Sequence, residues 1–219
     1  MNNIYHSDIY QFNTPVSSYW EDVSSENLNL EKLTKDINSE IVVIGGGYTG
    51  LLCGINLMEN YNLDVILVEA GKIGWGASSR NAGFNCLPPS KMSFKKMQSI
   101  YGMEETKKFF KNSVEGSNHT KDIIKEYNIE CDVTGDSSYV VAHHKNKFEQ
   151  IKEQAEVYKS EFGIETKIYS KEEFDEIGHG GTEQYGAFSY KPAFAINPLK
   201  FVNGIAKYAL SKKLKIFEH

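Results

Sequence analysis

A chain of 219 residues, 40% apolar and 24% charged, has an ordinary folded-protein composition and enough material to bury a core. Its net charge of -5 argues against nucleic acid as a partner, and the pairs Lys95-Lys96, Lys107-Lys108 and Lys212-Lys213 read as solvated helix faces. No stretch approaches the roughly 18 apolar residues that cross a membrane. The N-terminus lacks a signal-peptide core, and Cys53, Cys86 and Cys131 show no zinc or redox spacing. The expectation is a cytoplasmic protein with no metal site. Arg80 is the only arginine among 24 basic residues, in a background of Lys, Asn, Ile and Tyr that suggests AT-rich codons. An arginine kept in such a background points to a task that needs a planar, multi-donor guanidinium.

In chain order, residues 1–38 are polar with scattered aromatics (Tyr5, Tyr10, Phe12, Tyr19, Trp20) and read as an arm packed on the body, with a weak helix near 29–36. Residues 40–44 are a short apolar run bounded by glycines, which suits a buried parallel strand. Leu51, Leu52, Ile55 and Met58 then recur at helical spacing, and inside this helix Cys53 is expected to be a buried thiol. A second strand comes next over 64–69, so residues 40–69 make one βαβ unit. Residues 71–83 are a loop rich in glycine and small residues, ended by Pro88-Pro89. Helical patterns run over 91–100 and 103–127, then a strand over 139–143, a helix over 148–162 and a strand over 165–169. Ser170-x-x-Glu173 is a capping box opening a helix to Ile177. Residues 185–190 read as a strand, Asn197-Pro198 opens a helix to about Leu210, and 214–217 begin a last strand. His143 and His144 would point to opposite faces of their strand and share no metal, and His179 sits in a glycine-rich turn.

The chemistry is concentrated in two places. Gly45-x-Gly47-x-x-Gly50 comes after the first strand and opens the first long helix, as a dinucleotide fingerprint requires. Gly45 permits the tight turn, and Gly47 leaves room for a pyrophosphate at the helix N-terminus, where free N–H groups favour an anion. Gly50 lets the helix pack closely. Glu69, 19 residues beyond Gly50, closes the second strand with a carboxylate that can accept both hydroxyls of an adenosine ribose. That acid disfavours a 2′-phosphate, which leaves NAD and FAD. A second small-residue loop, Gly74-Trp75-Gly76-Ala77-Ser78-Ser79-Arg80-Asn81-Ala82-Gly83, lies directly beyond it. It offers donors to the pyrophosphate from the opposite side and turns the choice toward FAD. The expected cofactor-binding set is Gly45, Gly46, Gly47, Tyr48, Thr49, Gly50, Glu69, Ala70, Gly76, Ala77, Ser78, Ser79, Arg80, Asn81, Ala82 and Gly83, with catalytic residues unassigned.

These two segments, Ile41-Val-Val-Ile-Gly-Gly-Gly-Tyr-Thr-Gly-Leu51 and Val68-Glu-Ala-Gly-Lys-Ile-Gly-Trp-Gly-Ala-Ser-Ser-Arg-Asn-Ala-Gly-Phe84, resemble the D-amino-acid-oxidase-like FAD-dependent oxidoreductases. Ser18-Tyr19-Trp20 and Ile196-Asn-Pro-Leu-Lys-Phe201 are similar to the gamma-glutamylputrescine oxidase and glycine/sarcosine oxidase branch. Ser79 and Ala82 stand where glycine is usual in the family. The resemblance implies an α/β fold with a Rossmann-like, three-layer FAD-binding domain and an inserted α+β substrate-side region. It divides the chain into an arm (1–38), the first part of the FAD-binding domain (39–85), a helical and substrate-side insertion (86–190) and a return to the FAD-binding domain (191–219). It further implies oxidation of a C–N bond in a small amine or amino acid, with hydride passing to the flavin and dioxygen as acceptor. Family members are longer, and their amino-acid oxidases clamp substrate carboxylates with an arginine for which this chain has no candidate besides Arg80. The chain is therefore expected to be an N-terminal fragment that works with a C-terminal-half polypeptide. The alternatives are a non-catalytic FAD- or ADP-binding module or subunit, and an NAD-dependent dehydrogenase.

Overall fold

A computed structural model describes residues 4, 6–14, 17–24, 26–87, 92–178 and 180–219. Its elements in chain order are α1 (Tyr19–Asp22), β1 (Ile41–Ile44), α2 (Tyr48–Tyr61), β2 (Val65–Glu69), β3 (Phe84–Asn85), α3 (Phe94–Glu126), β4 (Ser138–Val141), α4 (Lys145–Phe162), β5 (Glu165–Tyr169), α5 (Lys171–Ile177), β6 (Ala187–Lys191), β7 (Phe194–Ala195), α6 (Pro198–Ser211) and β8 (Lys215–Glu218). Two compact units share them: residues 1–83, 123–133 and 196–219 form the first, and 84–122 with 134–195 the second.

The first unit is built on a parallel sheet in the order β1-β2-β8. Val43, Leu67 and Ile216 lie in register across it. The β-branched run of β2 suits a buried pleated surface. Val65, Ile66 and Leu67 are accordingly at most 4% exposed. Strand β1, expected from its sequence to be buried, instead has Val42 and Ile44 exposed, because nothing among the described residues covers that face. Helix α2 ends on Asn62 in the left-handed conformation, whose N–H closes back on Leu57 and Met58. It packs on α6, and its Gly54 leaves room for Leu214 in the turn between α6 and β8. Asn197 caps α6 as its sequence suggests, its Oδ1 accepting from the Leu199 and Lys200 N–H groups at 3.1 Å. Val202, Ile205, Ala206 and Ala209 are fully buried along α6. A valine or isoleucine side chain contributes about 1.5–3 kcal/mol by leaving water.

The second unit has an antiparallel sheet in the order β4-β6-β5 and a two-residue ribbon, β3 with β7. Its core gathers Met97, Phe110, Ile151, Ala155, Tyr158, Phe188 and Tyr190. The Phe110 and Phe162 rings stack at 4.0 Å. The Ser170/Glu173 capping box is formed in both directions.

Several sequence expectations are corrected. No helix forms near 29–36. That segment runs without regular structure beside β8, where the Glu218 N–H donates to the Glu31 carbonyl and the Leu30 N–H to the Glu218 carboxylate. Long-range pairing thus satisfies a backbone whose apolar periodicity was too weak to bury a helix face. The 139–143 strand stops at Val141. His143 lies in a bend and His144 is the N-cap residue of α4, so the two histidines do not alternate on a strand. Helix α4 begins at Lys145 rather than 148, because its polar first turn carries no hydrophobic period. The two helical patterns over 91–100 and 103–127 hold: α3 is two helical stretches separated at Gly102, whose φ of 78° is not helical, with the first starting at Phe94. Cys53 is exposed, not buried, since the buried stripe of α2 is Leu51, Gly54 and Ile55. Tyr5, Pro88-Pro89 and His179 lie outside the described residues. No helix among the described residues is long and apolar enough to cross a membrane, and they include no metal-binding cluster of His, Cys, Asp and Glu.

Candidate functional site

The site grows from the end of the parallel sheet. Gly45 leaves β1 at φ +105°, a conformation that favours glycine, and its N–H donates to the Val68 carbonyl at 2.8 Å. This turn sets Gly46, Gly47 and Tyr48 at the N-terminus of α2, where the first N–H groups have no partner within the helix. Glu69 ends the neighbouring strand and meets the turn directly. Its Oε2 accepts from Gly46 N–H at 2.6 Å and its Oε1 from Gly71 N–H at 2.9 Å. The carboxylate is thereby fixed at the end of the central strand by charge-assisted bonds.

Gly50 is needed for a different close approach. A Cβ there would overlap the Gly45 carbonyl oxygen, so the first turn of α2 sits against the turn that precedes it. At Gly47 a Cβ would lie 2.8 Å from Ser78 Oγ. That hydroxyl accepts from the Tyr48 N–H at 3.2 Å. The second loop therefore also reaches the N-terminus of α2.

Residues 77–79 form a single 3-10 turn, and Asn81 knits that turn to the end of the loop. Its side-chain amide donates to the Ala77 and Ser78 carbonyls at 3.1 Å, and its Oδ1 accepts from Gly83 N–H at 2.9 Å. Ser79 is buried, with its hydroxyl bonded to the Gly74 carbonyl. Gly83, at φ +77°, has no room for a Cβ beside the Ile196 carbonyl, and Ile196 N–H donates to the Gly83 carbonyl at 2.8 Å. The start of α6 is thus stitched to the loop. Tyr48 adds a second stitch, its phenol donating to the Pro198 carbonyl at 3.2 Å and its ring 5.2 Å from that of Phe201. Burial pushes this phenol up to about 12, with the Asn81 side chain holding it down in part. It stays neutral at physiological pH. Arg80 lies over the Trp75 ring at 4.6 Å.

The structure brings Gly45, Gly46, Gly47, Tyr48, Gly50, Glu69, Ser78, Ser79, Arg80, Asn81 and Gly83 into this one hydrogen-bonded and packed constellation. The Gly76 and Ala77 carbonyls accept from Ser79 Oγ and Asn81 Nδ2 within it, while Thr49, Ala70 and Ala82 make no side-chain bond there among the described residues. Trp75, beneath Arg80, and Pro198, which receives the Tyr48 phenol, were not assigned roles by the sequence. An aromatic residue inside a glycine-serine loop that holds the sole arginine was the available signal for Trp75. Pro198 was read from the sequence only as the first residue of a helix, and nothing local told that its carbonyl would receive the Tyr48 phenol.

The family model described as FAD dependent oxidoreductase (DAO) matches residues 40–219. The chain belongs to this family. It is 31% identical over 144 residues to the gamma-glutamylputrescine oxidoreductase of Escherichia coli, covering 65% of this chain and 33% of that protein. It is 24% identical over 211 residues to a probable oxidoreductase, OrdL, of Haemophilus influenzae, covering 95% and 48%. Among solved structures, an L-amino acid deaminase from Proteus myxofaciens superposes with TM-score 0.66 at 17% identity over 89% of this chain and 41% of that one. A glycine oxidase from Geobacillus kaustophilus gives 0.62 at 17% identity, over 82% and 46%. These likenesses show a shared mixed α/β fold. The chain spans between a third and about half the length of the curated proteins just named. Membership in a FAD-dependent family resolves the choice between FAD and NAD in favour of FAD.

The residues present fit that cofactor. Arg80 Nε and Nη2 and Trp75 Nε1 are buried without a hydrogen-bond partner among the described residues. Buried donors of this kind are costly unless a partner meets them. A dinucleotide pyrophosphate or flavin edge carries the acceptors they lack. A Cβ at Gly46 would run into the Ile73 and Glu69 side chains and one at Gly47 into Ser78 Oγ, so the turn that opens α2 passes close against its neighbours at both positions and only glycine fits there.

Proposed function

We propose that this chain grips FAD through its ADP half and belongs to an enzyme that oxidises a C–N bond in a small amine or amino acid. One observation carries the reading: the end of β2 at Glu69 and the second loop at Ser78 both bond to N–H groups at one helix N-terminus, those of Gly46 and Tyr48. In this assignment Glu69 accepts from the adenosine ribose. Gly45, Gly46, Gly47, Tyr48, Thr49 and Gly50 present the N-terminus of α2 to the pyrophosphate. Ala70, Gly76, Ala77, Ser78, Ser79, Asn81, Ala82 and Gly83 shape the covering loop, and Arg80 supplies positive charge from above Trp75. Bound FAD supplies the acceptor for the hydride lost from the substrate α-carbon, with dioxygen taking the electrons in turn. The chain's own part is to bind, orient and exclude water.

Because the chain spans only part of its relatives' length, the activity of the whole protein is part of the proposal. Residues completing the substrate pocket would come from further polypeptide, and a C-terminal-half partner is one source. The same partial span favours a second reading, a FAD- or ADP-binding module without catalysis of its own. Three free cysteines agree with a cytoplasmic setting.

The test is to purify the chain with and without added FAD and follow visible flavin absorbance through gel filtration. Near-equimolar flavin travelling with the chain is expected. ADP should compete for the site, while NADH should bind no better than background. Failure of both FAD and ADP to bind would remove the reading. Flavin bound without amine-dependent bleaching, persisting after a C-terminal-half polypeptide is added, would favour the module.

A further inference from the structure

We infer that Trp20, in the N-terminal arm, is a positioning residue for the loop 74–83. It holds the Asn81 carbonyl and thereby fixes the donors the loop turns toward FAD. The inference rests on the cofactor site proposed above and extends it to a segment outside the matched family region, which begins at residue 40.

The Trp20 indole Nε1–H donates to the Asn81 carbonyl oxygen at 2.9 Å, across 61 residues of sequence. Asn81 is the knot of the loop, since its side chain already binds the Ala77 and Ser78 carbonyls and the Gly83 N–H. Anchoring its main chain therefore anchors Ser78, whose hydroxyl meets the Tyr48 N–H. The arm has its own footing. Ser18 caps α1 by accepting from Glu21 N–H, and α1 packs on α6. Just downstream, the Glu26 carbonyl accepts from Asn203 Nδ2, and the Glu26 carboxylate pairs with Lys207. The arm also reaches the other end of the loop. The Phe12 ring stands edge-on to Trp75 with centroids 5.0 Å apart, and Trp75 in turn supports Arg80. One arm thus braces the loop at Trp75 and at Asn81. Residues 74, 79 and 83 of the loop are buried, but Asn81 and Ala82 are exposed, so a main-chain anchor at Asn81 falls where the loop has least packing of its own.

Arg80 makes the test local. As the only arginine in the chain, it gives an arginine-specific protease one cleavage point, the Arg80–Asn81 bond. That bond enters the residue whose carbonyl Trp20 holds. Trp20→Phe keeps an aromatic ring and removes the N–H. Loss of one hydrogen bond should raise the cleavage rate about three- to tenfold, because cleavage tracks the population of the open loop. FAD affinity, read by flavin fluorescence titration, should weaken by a similar factor, and the thermal midpoint of the FAD-free chain should not move. Tyr19→Phe, on the neighbouring and largely exposed ring, should leave all three unchanged. Unchanged cleavage and FAD affinity in Trp20→Phe would overturn the inference. So would a thermal midpoint that falls in step with them, which would make Trp20 a packing residue. If the wild-type chain binds no FAD, the cofactor site itself fails and takes this inference with it. Wild-type binding with an indifferent Trp20→Phe defeats this inference alone.

Discussion

Replacing Gly50 and Gly47 by alanine, one at a time, separates two roles that the glycine motif combines. In the interior of a helix, alanine is favoured over glycine by about 1 kcal/mol, so propensity by itself makes Gly50→Ala stabilising. The structure reverses that sign. A Cβ at residue 50 would overlap the Gly45 carbonyl, which belongs to a backbone turn that cannot rotate away, and would also lie 3.4 Å from Val43 Cγ1. Overpacking of this kind costs about 1–3 kcal/mol or more. The net should be a loss of up to about 2 kcal/mol, lowering the melting midpoint by several degrees in a chain of this length. At Gly47 the same methyl meets only Ser78 Oγ, the end of a rotatable side chain, at 2.8 Å. Gly47→Ala should cost less than about 1 kcal/mol of stability as an N-cap change. Its methyl nevertheless stands where a pyrophosphate approaches, so FAD and ADP affinity should fall at least about tenfold, equivalent to about 1.4 kcal/mol. Gly47→Val should abolish binding while the strands remain folded. Scanning calorimetry of the FAD-free chain and titration calorimetry with ADP read the two axes separately. A raised midpoint in Gly50→Ala would refute the close-approach argument, and full ADP affinity in Gly47→Val would refute the pyrophosphate assignment.

Three further outcomes rest on the same geometry. Arg80→Lys keeps the charge but loses the planar fork over Trp75, so FAD affinity should drop on the order of tenfold with no change in FAD-free stability; full retention of affinity would show that charge alone suffices. Burial pushes the Cys131 thiol from 9.0 up to about 11, so the folded chain holds that proton more tightly than the unfolded one. The associated stability is complete below pH 9 and is lost as pH rises toward 11, with Tyr48 adding a loss from 10 to about 12. Urea midpoints should therefore fall over that window, and Cys131→Ala should delay the onset; at pH 8 a maleimide should label Cys53 at once and Cys131 only on unfolding. Ser170→Ala breaks the α5 capping box and should cost about 1 kcal/mol, seen as faster amide exchange confined to α5 and its neighbours.

The first βαβ unit was legible because its signals agree at every level. The β-branched run at 41–44, the three glycines, the helical spacing through Leu51 and Ile55, and the closing acid at Glu69 all require the same geometry. The helix at 198–211 was equally plain from Asn197-Pro198 and its apolar stripe. What escaped was fixed by partners distant in sequence. The irregular path of residues 29–36 is held in part by Glu218, 188 positions from Leu30, and the β3–β7 ribbon is only two residues long on each side. Within the site, the direct bond from Tyr48 N–H to Ser78 could be expected only as a general convergence of two loops. The burial of Arg80 Nε and Nη2 beside Trp75 needed coordinates, since a sole arginine tells that it is needed and not what it lies against.

The outer strand of the parallel sheet is also the strand that ends in the cofactor turn. Val42 is 53% exposed and Ile44 86% exposed on β1, whose ladder among the described residues runs only to β2. Val42 and Ile44 lie on one face of the strand, so that face offers apolar surface for another layer to cover. Ile44 is joined directly to Gly45, so the order of this strand is also the order of the turn that opens α2.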